Sequence, residues 1–516
     1  MTTSLASRRI KVPTAPDILT HVPIDRSAAI PLHQQIYDGV RHAILSGSLR
    51  PGQRLPSTRT LATELKVSRL PVLTAYDQLL HEGYLEGRAG SGTYVSAAMP
   101  DDVMRSVPLS SRSAATPAKR ASRSNDRTRV EGGLKPFRVS MPALSAFPHT
   151  TWARLVARHA HAMKPALMAY GNPAGLSGLR SAIAEHLRTA RAVRCEADQV
   201  LIVSGSQAAL RICASVLLKR GDMVAMEEPG YQGARVALGT TGAQIVPVAV
   251  DGDGIDVSAL ASIGNRTRAV YVTPSHQYPL GASMSAARRL ALLDWANRRN
   301  AWIIEDDYDS EYRYVSRPLG ALQGMDEHGR VVYVGTFSKV LFPALRIGYV
   351  VVPSSLWSDF IEARDAFDLF SPTLYQLALT DFLREGHFAR HLRRMRTLYL
   401  SRRKALLAGL ARHCEGLLTI HNADAGLHIA TLLADGVNDV AVVARMTERG
   451  LTATALSTCY AGSDKRSGLL LGFGGWSERR IGDATAILAE ILREVVQAPC
   501  VADRASASAS AGSKPS

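Results

Sequence analysis

RVVYVGTFSKVLFPALRIGYV, residues 330–350, decides the fold of the larger part of this chain. It opens with a β-branched and aromatic run, Val331 to Val334, too short for a helix and bounded by Gly335. A small polar cluster follows, Gly335-Thr336-Phe337-Ser338-Lys339, and Arg346 stands seven residues beyond the lysine. The same grammar recurs upstream. A strand to Val203 precedes Ser204-Gly205-Ser206-Gln207. One to Met226 precedes Glu227-Glu228-Pro229-Gly230-Tyr231. One to Val272 precedes Thr273-Pro274-Ser275-His276, and one to Ile304 precedes Glu305-Asp306-Asp307-Tyr308. Continuous apolar strands separated by helical patterns predict an α/β fold with a largely parallel sheet covered on both faces. Ligands of such sheets sit beyond the carboxyl ends of the strands, where all these clusters fall.

The cluster chemistry points to one ligand. Gly205, Ser206 and Gln207 open a helix, whose backbone N–H groups suit an anion, and Arg346 and Ser338 add a cation and a hydroxyl. Lys339 offers an amine able to form a Schiff base. Asp306 is placed to hold a positive ring nitrogen and Tyr231 to stack on a flat ring. Phosphate, aldehyde, pyridinium nitrogen and aromatic face together describe pyridoxal 5′-phosphate, PLP. Taken singly, a lysine is most often a solvated charge, an aspartate after a strand a cap, and a tyrosine after Pro-Gly a packing residue. Their joint placement carries the reading. No metal site is expected.

The front of the chain is built differently. Leu32, Ile36, Val40, Ile44 and Leu45 have helical spacing, ended by Gly47 and Pro51-Gly52. Ser57 can cap a second helix with the apolar face Leu61, Ala62 and Leu65. Ser68 can cap a third, with Val72, Tyr76, Leu79 and Leu80 buried and Pro71 tolerated in its first turn. Short strands Tyr84–Glu86 and Thr93–Val95 then flank a glycine-rich tip. This order predicts a winged helix-turn-helix over residues 30–97, whose third helix enters the major groove of double-stranded DNA. Ser68 and Arg69 are placed for bases or phosphates, Arg54, Ser57 and Arg59 for phosphates, and Arg88 with Gly92 for the wing. The plainer alternative is a small interaction domain with solvated arginines.

Composition bounds the rest. The 516 residues, 46% hydrophobic and 21% charged, suffice for several cored units and exclude a disordered chain. No apolar run spans a bilayer, and the first residues lack a signal-peptide core, so no membrane is expected. The five scattered cysteines suit a reducing cytoplasm. Of the net charge of +16, half falls in residues 1–135 (19 Lys+Arg against 11 Asp+Glu): +2 before residue 30, +2 in 30–97 and +4 in 98–135. Residues 1–29 read as a polar N-terminal extension, 98–135 as a flexible basic linker, 136–500 as the cofactor body and 501–516 as a disordered tail.

Two resemblances extend this. Leu55 to Val95 closely resembles the DNA-binding domain of the GntR family, departing at Pro71, where the family usually has a polar residue. Residues 136–500 resemble the fold-type I aminotransferases, which have a large and a small lobe. That resemblance implies Lys339 as the Schiff-base lysine, Arg346 and Ser338 as phosphate ligands with Thr336 beside them, and SGSQAAL as the phosphate turn. It implies Asp306, or Asp307 in the alternative register, on the ring nitrogen, Tyr308 facing the ring oxygen and Tyr231 on the ring face. His276 would replace the usual asparagine, and Tyr170 would reach the phosphate of a neighbouring subunit, hence a homodimer. The arginine that clamps a substrate carboxylate is replaced by Leu470, with Arg466 nearby.

Both halves together resemble the MocR subfamily of GntR regulators. The resemblance implies a cytoplasmic, PLP-dependent transcription regulator sensing a small amino compound by external-aldimine formation at Lys339. The alternatives are a working aminotransferase with a DNA-binding head, and a regulator in which PLP only supports the fold.

Overall fold

The computed structural model describes residues 22–97 and 135–497, except 29, 89, 315–319 and 423. The expected linker up to residue 134 and the tail lie outside the described residues. The chain divides into two compact units, Met1–Arg127 and Thr128–Ser516.

The first unit has three helices, α1 (Leu32–Leu45), α2 (Thr58–Glu64) and α3 (Arg69–His81), and a hairpin of β1 (Leu85–Arg88) and β2 (Gly92–Val95). Ile36, Val40, Leu61, Val72, Tyr76 and Leu79 close one core, as their spacing requires. Leu45 departs from its expected face and is 37% exposed, Ala43 taking the inward position. Ser57 caps α2, its hydroxyl accepting from the Thr60 N–H at 3.1 Å. Ser68 occupies the corresponding place before α3 but makes no side-chain cap bond. Residues 22–28 are not a free extension. Val22 is buried in the core, and the Arg26 guanidinium donates to the Lys66 carbonyl at 2.6 Å.

The second unit is built on an eight-stranded sheet of order β3-β10-β9-β8-β7-β4-β5-β6. The strands are β3 (Val200–Val203), β4 (Met223–Glu228), β5 (Gln244–Asp251), β6 (Gly254–Ile255), β7 (Thr267–Val272), β8 (Trp302–Asp307), β9 (Val331–Thr336) and β10 (Gly348–Val351). The central pairs β5/β4, β4/β7, β7/β8 and β8/β9 are parallel, whereas β10 is antiparallel to both neighbours and β6 to β5. Side chains alternate between faces. One face, with Val203, Met226, Tyr271, Ile304 and Val334, is covered by α5 (Ser206–Leu217) and α7 (Trp357–Asp368). The other buries Val270, Val272 and Ile303 against α6 (Ala286–Arg299) and Tyr333 against α4 (Ser177–Arg191).

A smaller antiparallel sheet follows, β11-β12-β14-β13: β11 (Leu418–Asn422), β12 (His428–Leu433), β13 (Thr454–Ala455) and β14 (Gly468–Gly472). Its core joins the long helices α8 (His387–His413) and α9 (Glu478–Gln497). Among the described residues, no helix is long and apolar enough to cross a membrane.

Candidate functional site

In the large sheet the polar clusters do converge. Strand β8 runs three residues further than its apolar stretch, through Glu305, Asp306 and Asp307, because alternation sends each carboxylate to a prepared partner. Asp307 turns toward α4, where the Arg191 Nε lies 2.9 Å away and the Tyr333 hydroxyl donates at 2.5 Å. Glu305 shares that face and accepts the Leu322 and Gln323 N–H groups, both at 2.8 Å.

Asp306 points to the opposite face, toward α5. The Tyr271 hydroxyl donates to its Oδ2 at 2.8 Å, while its buried Oδ1 has no hydrogen-bond partner among the described residues. Burial raises its pKa to about 7, against the Tyr271 hydrogen bond and the charge of Lys339. The two carboxylates thus face opposite sides of β8: Asp307 is ion-paired with Arg191 on the α4 side and Asp306 lies on the α5 side, and the Oδ1 of each is buried without a partner among the described residues.

The β3–α5 turn forms the second wall. Gly205 has φ 93° and precedes the N-terminus of α5, leaving the first N–H groups of the helix outward. A Cβ there would lie 3.1 Å from the Arg346 Nη1. Arg346 itself has a left-handed backbone, φ 52°, and donates to the Ser204 carbonyl at 2.5 Å. A guanidinium and a helix N-terminus thus adjoin, which is an anion-binding arrangement. Gln207, in the first turn of α5, donates to the Tyr231 hydroxyl at 3.3 Å. Thr336 ends β9 and accepts the Ser338 N–H at 3.2 Å, and the Lys339 ammonium donates to the Ser140 carbonyl at 3.3 Å.

Aromatic contacts link these walls. The ring of Tyr231 lies 5.6 Å from Tyr278, which lies 6.0 Å from Tyr308. The His276 Nδ1 sits 2.9 Å from both the Tyr308 hydroxyl and the Asp309 carboxylate. Glu227, at the end of β4, accepts from the Thr273 hydroxyl at 2.6 Å and holds the 273–278 loop; burial raises its pKa to about 7. Tyr170 does not join the others. It is 87% exposed, its ring 6.3 Å from Phe370. Leu470 is fully buried, packed with Leu280, Ala430, Leu456 and Cys459. Sequence reasoning missed Tyr271, Glu227, Asp309 and His428, whose ring lies 5.3 Å from His276. For Glu227, Tyr271 and His428 the visible signal was a polar group inside an otherwise apolar strand, whereas Asp309 lies beyond the end of β8.

PLP passes two tests of fit here. A protonated ring nitrogen would satisfy the stranded Asp306 oxygen. A phosphate would suit the guanidinium of Arg346 beside the N-terminus of α5, where Gly205 has φ 93°.

In the first unit, Arg54, Ser57, Arg59, Ser68, Arg69, Arg88 and Gly92 are all exposed. Arg69 is steadied by the Thr58 hydroxyl, 3.2 Å from its Nε. Arg88 lies over the Tyr94 ring at 4.5 Å and pairs with Glu86 at 2.6 Å. Gly92, φ 116°, leaves room for Arg54, whose Nε would sit 3.0 Å from a Cβ there. Leu70 on α3, which the sequence reading did not single out, is 69% exposed.

Comparisons agree with both halves. The gntR family of bacterial regulatory proteins matches residues 32–95, and the aminotransferase class I and II family matches residues 143–468. The chain is 42% identical over 454 residues to the probable rhizopine catabolism regulatory protein MocR of Rhizobium meliloti, covering 88% of this chain and 92% of that one. It is 35% identical to the HTH-type pyridoxine biosynthesis transcriptional regulator PdxR of Corynebacterium glutamicum, covering 88% and 96%. The kynurenine aminotransferase of Pyrococcus horikoshii, solved in complex with PMP, superposes with a TM-score of 0.65 at 27% identity, over 69% of this chain and 90% of that one. The chain belongs to the MocR subfamily of GntR-type transcriptional regulators, a winged helix-turn-helix head followed by an aminotransferase class I and II domain.

Proposed function

We propose that this PLP-dependent, DNA-binding regulator uses its aminotransferase-like body to sense a small amine rather than to turn one over. What supports this is a cofactor cradle around Lys339, Asp306 and Arg346 together with an apolar Leu470 where the aminotransferase resemblance would put a carboxylate clamp. Lys339, Asp306 and Arg346 surround one site, whereas Leu470, in the place of the clamp, is sealed in an apolar cluster. Without a bidentate clamp, an amino acid is poorly oriented for proton transfer.

The cofactor is PLP, which when bound supplies an aldehyde carbon that condenses reversibly with primary amines. The residues divide the work of holding it. Asp306 Oδ1 would accept from the ring nitrogen. Arg346, Ser338, Thr336 and the first N–H groups of α5, from Ser206 and Gln207, would hold the phosphate, with Gly205 giving clearance. Tyr231 would cover the ring, and Tyr308, oriented by His276 and Asp309, would serve the ring oxygen. Lys339 would present its amine to the aldehyde. Tyr170, exposed in one chain, reaches a second copy in a homodimer.

An amine competing with Lys339 favours whichever arrangement of the lobes binds it better, and only that difference in affinity can alter DNA binding. The head binds an operator in the cytoplasm through Arg54, Ser57, Arg59, Ser68 and Arg69, with the Arg88 and Gly92 wing alongside.

The test is spectral. PLP-loaded full-length protein should change its visible absorption on adding an effector amine, without producing a carbonyl compound, and its operator affinity should change with it. Sustained conversion of an amine to its keto product would replace sensing with catalysis. A Lys339→Ala protein responding unchanged would remove the lysine from either scheme.

A further inference from the structure

Strand pairing sets His428 opposite Gly472 and Ala430 opposite Leu470. By alternation His428, Ala430 and Leu470 share one face of the small sheet. That face packs onto the 276–280 loop of the large lobe, through Leu280 and the ring of Tyr278. The paired positions on this face, which also include Leu432, Gly468 and Gly472, contain no arginine or lysine. Among the β12/β14 pairs of this face His428 is the one polar side chain, Thr419 and Thr454 pairing onto the face from the flanking strands. His428 is buried, with its ring 5.3 Å from His276 and 5.6 Å from Tyr278.

The chemistry of that ring is constrained. Its Nε2 lies 3.1 Å from the Pro279 carbonyl oxygen, which can only accept, so Nε2 carries the proton. Burial pushes the pKa of His428 down to about 4, with the charges of His276 and Lys339 acting in the same direction, so the ring stays neutral. Nδ1 is therefore a bare acceptor. It is buried and has no hydrogen-bond partner among the described residues. An acceptor buried without a donor is unfavourable, so a ligand that brings a donor is preferred. His428 adjoins the amine site through His276, whose ring lies 5.3 Å from it and whose Nδ1 is 2.9 Å from the Tyr308 hydroxyl.

We propose that His428 reads the effector: the amine this body binds carries a hydroxyl close to its amino group, and the hydroxyl donates to His428 Nδ1. The class is an amino alcohol, where an aminotransferase with an arginine clamp would take an amino acid. This rests on the amine-sensing reading of the same site.

The experiment titrates PLP-loaded full-length protein with 3-amino-1-propanol, n-butylamine and β-alanine, following visible absorption. The amino alcohol should bind about tenfold more tightly than the alkylamine, the scale of one buried hydrogen bond. β-Alanine should bind no better than the alkylamine. His428→Phe should erase the hydroxyl preference and His428→Gln, which retains an acceptor, should restore part of it. PLP uptake, read from the rise in Tm, checks that each variant is folded. Tighter binding of β-alanine than of the amino alcohol overturns the proposal, as does a preference that survives in His428→Phe. Loss of PLP uptake in both variants would assign His428 to the cofactor and overturn it as well. If no amine changes the spectrum, the sensing reading itself falls. If amines bind without discrimination, only the role of His428 falls.

Discussion

The two units present their functional groups in opposite ways. The head carries its arginines outside. Arg54, Arg59, Arg69 and Arg88 are exposed, steadied by a neighbouring hydroxyl, a ring or a glycine gap, over a core that includes none of them. The body sinks its polar groups inside, where Asp306, His276, Thr336 and His428 are each at most 6% exposed. DNA is met as a surface of phosphates, so cations that stay hydrated until contact suffice. A cofactor must be gripped by groups already stripped of water, and those groups are costly wherever one atom is left unpaired. Stability and function are therefore separable in the head and entangled in the body.

That difference can be broken at four places, from the largest expected effect down. Arg191→Ala leaves Asp307 buried without its cation, and the body should lose about 3–5 kcal/mol of stability. A fall in Tm without change in the DNA-binding midpoint of the intact fraction is the expected pattern, and an unchanged Tm would contradict it. Asp306→Ala should weaken PLP binding roughly tenfold to a hundredfold, as expected for a hydrogen bond to a charged group; fluorescence titration of the cofactor reads this directly.

Asp306 also gives a pH signature. Its folded pKa, raised to about 7 from the ordinary 3.8, means that the folded protein binds the proton more strongly than the unfolded chain. Its contribution to stability is therefore complete at acid pH and is lost as pH rises from about 4 to about 7. Asp306→Asn should flatten the cofactor-free stability profile across that window relative to the native protein. An equal slope in the two would refute the assignment.

In the head, Arg69→Ala should weaken operator binding about tenfold at unchanged Tm. If the contact is to a phosphate, the salt dependence should fall by about one unit of slope. Smallest is Ser57→Ala, which removes the cap bond to Thr60 and should cost about 1 kcal/mol, measured by denaturant unfolding. A further loss of operator affinity in this variant, beyond its loss of stability, would report the phosphate contact proposed for Ser57.

Much of this arrangement was legible in residue order. The head could be read because α1–α3 bury one face each at helical spacing and short polar turns separate them. The body's strands could be read because both faces are covered, which leaves unbroken apolar runs ending in polar clusters. Less legible was anything contributed by one residue against a weak local pattern. Val22 sits in a polar stretch with no period, yet it reaches the head core. Arg191 and Asp307 are 116 residues apart and meet only because α4 covers the Asp307 face of β8. His428 was hidden in the apolar run of β12.

The sequence by itself determined the list of chemical parts and the order in which strands deliver them: a glycine turn after one apolar run, adjacent carboxylates after another, and a lysine and an arginine after a third. Only the tertiary structure decided which carboxylate faces α5 and which faces α4. Strand alternation makes neighbours point oppositely, but the phase is set by what packs on each side. It alone decided that the Asp306 and His428 acceptors lack partners among the described residues, since satisfaction of a buried polar atom depends on groups brought together from distant parts of the chain.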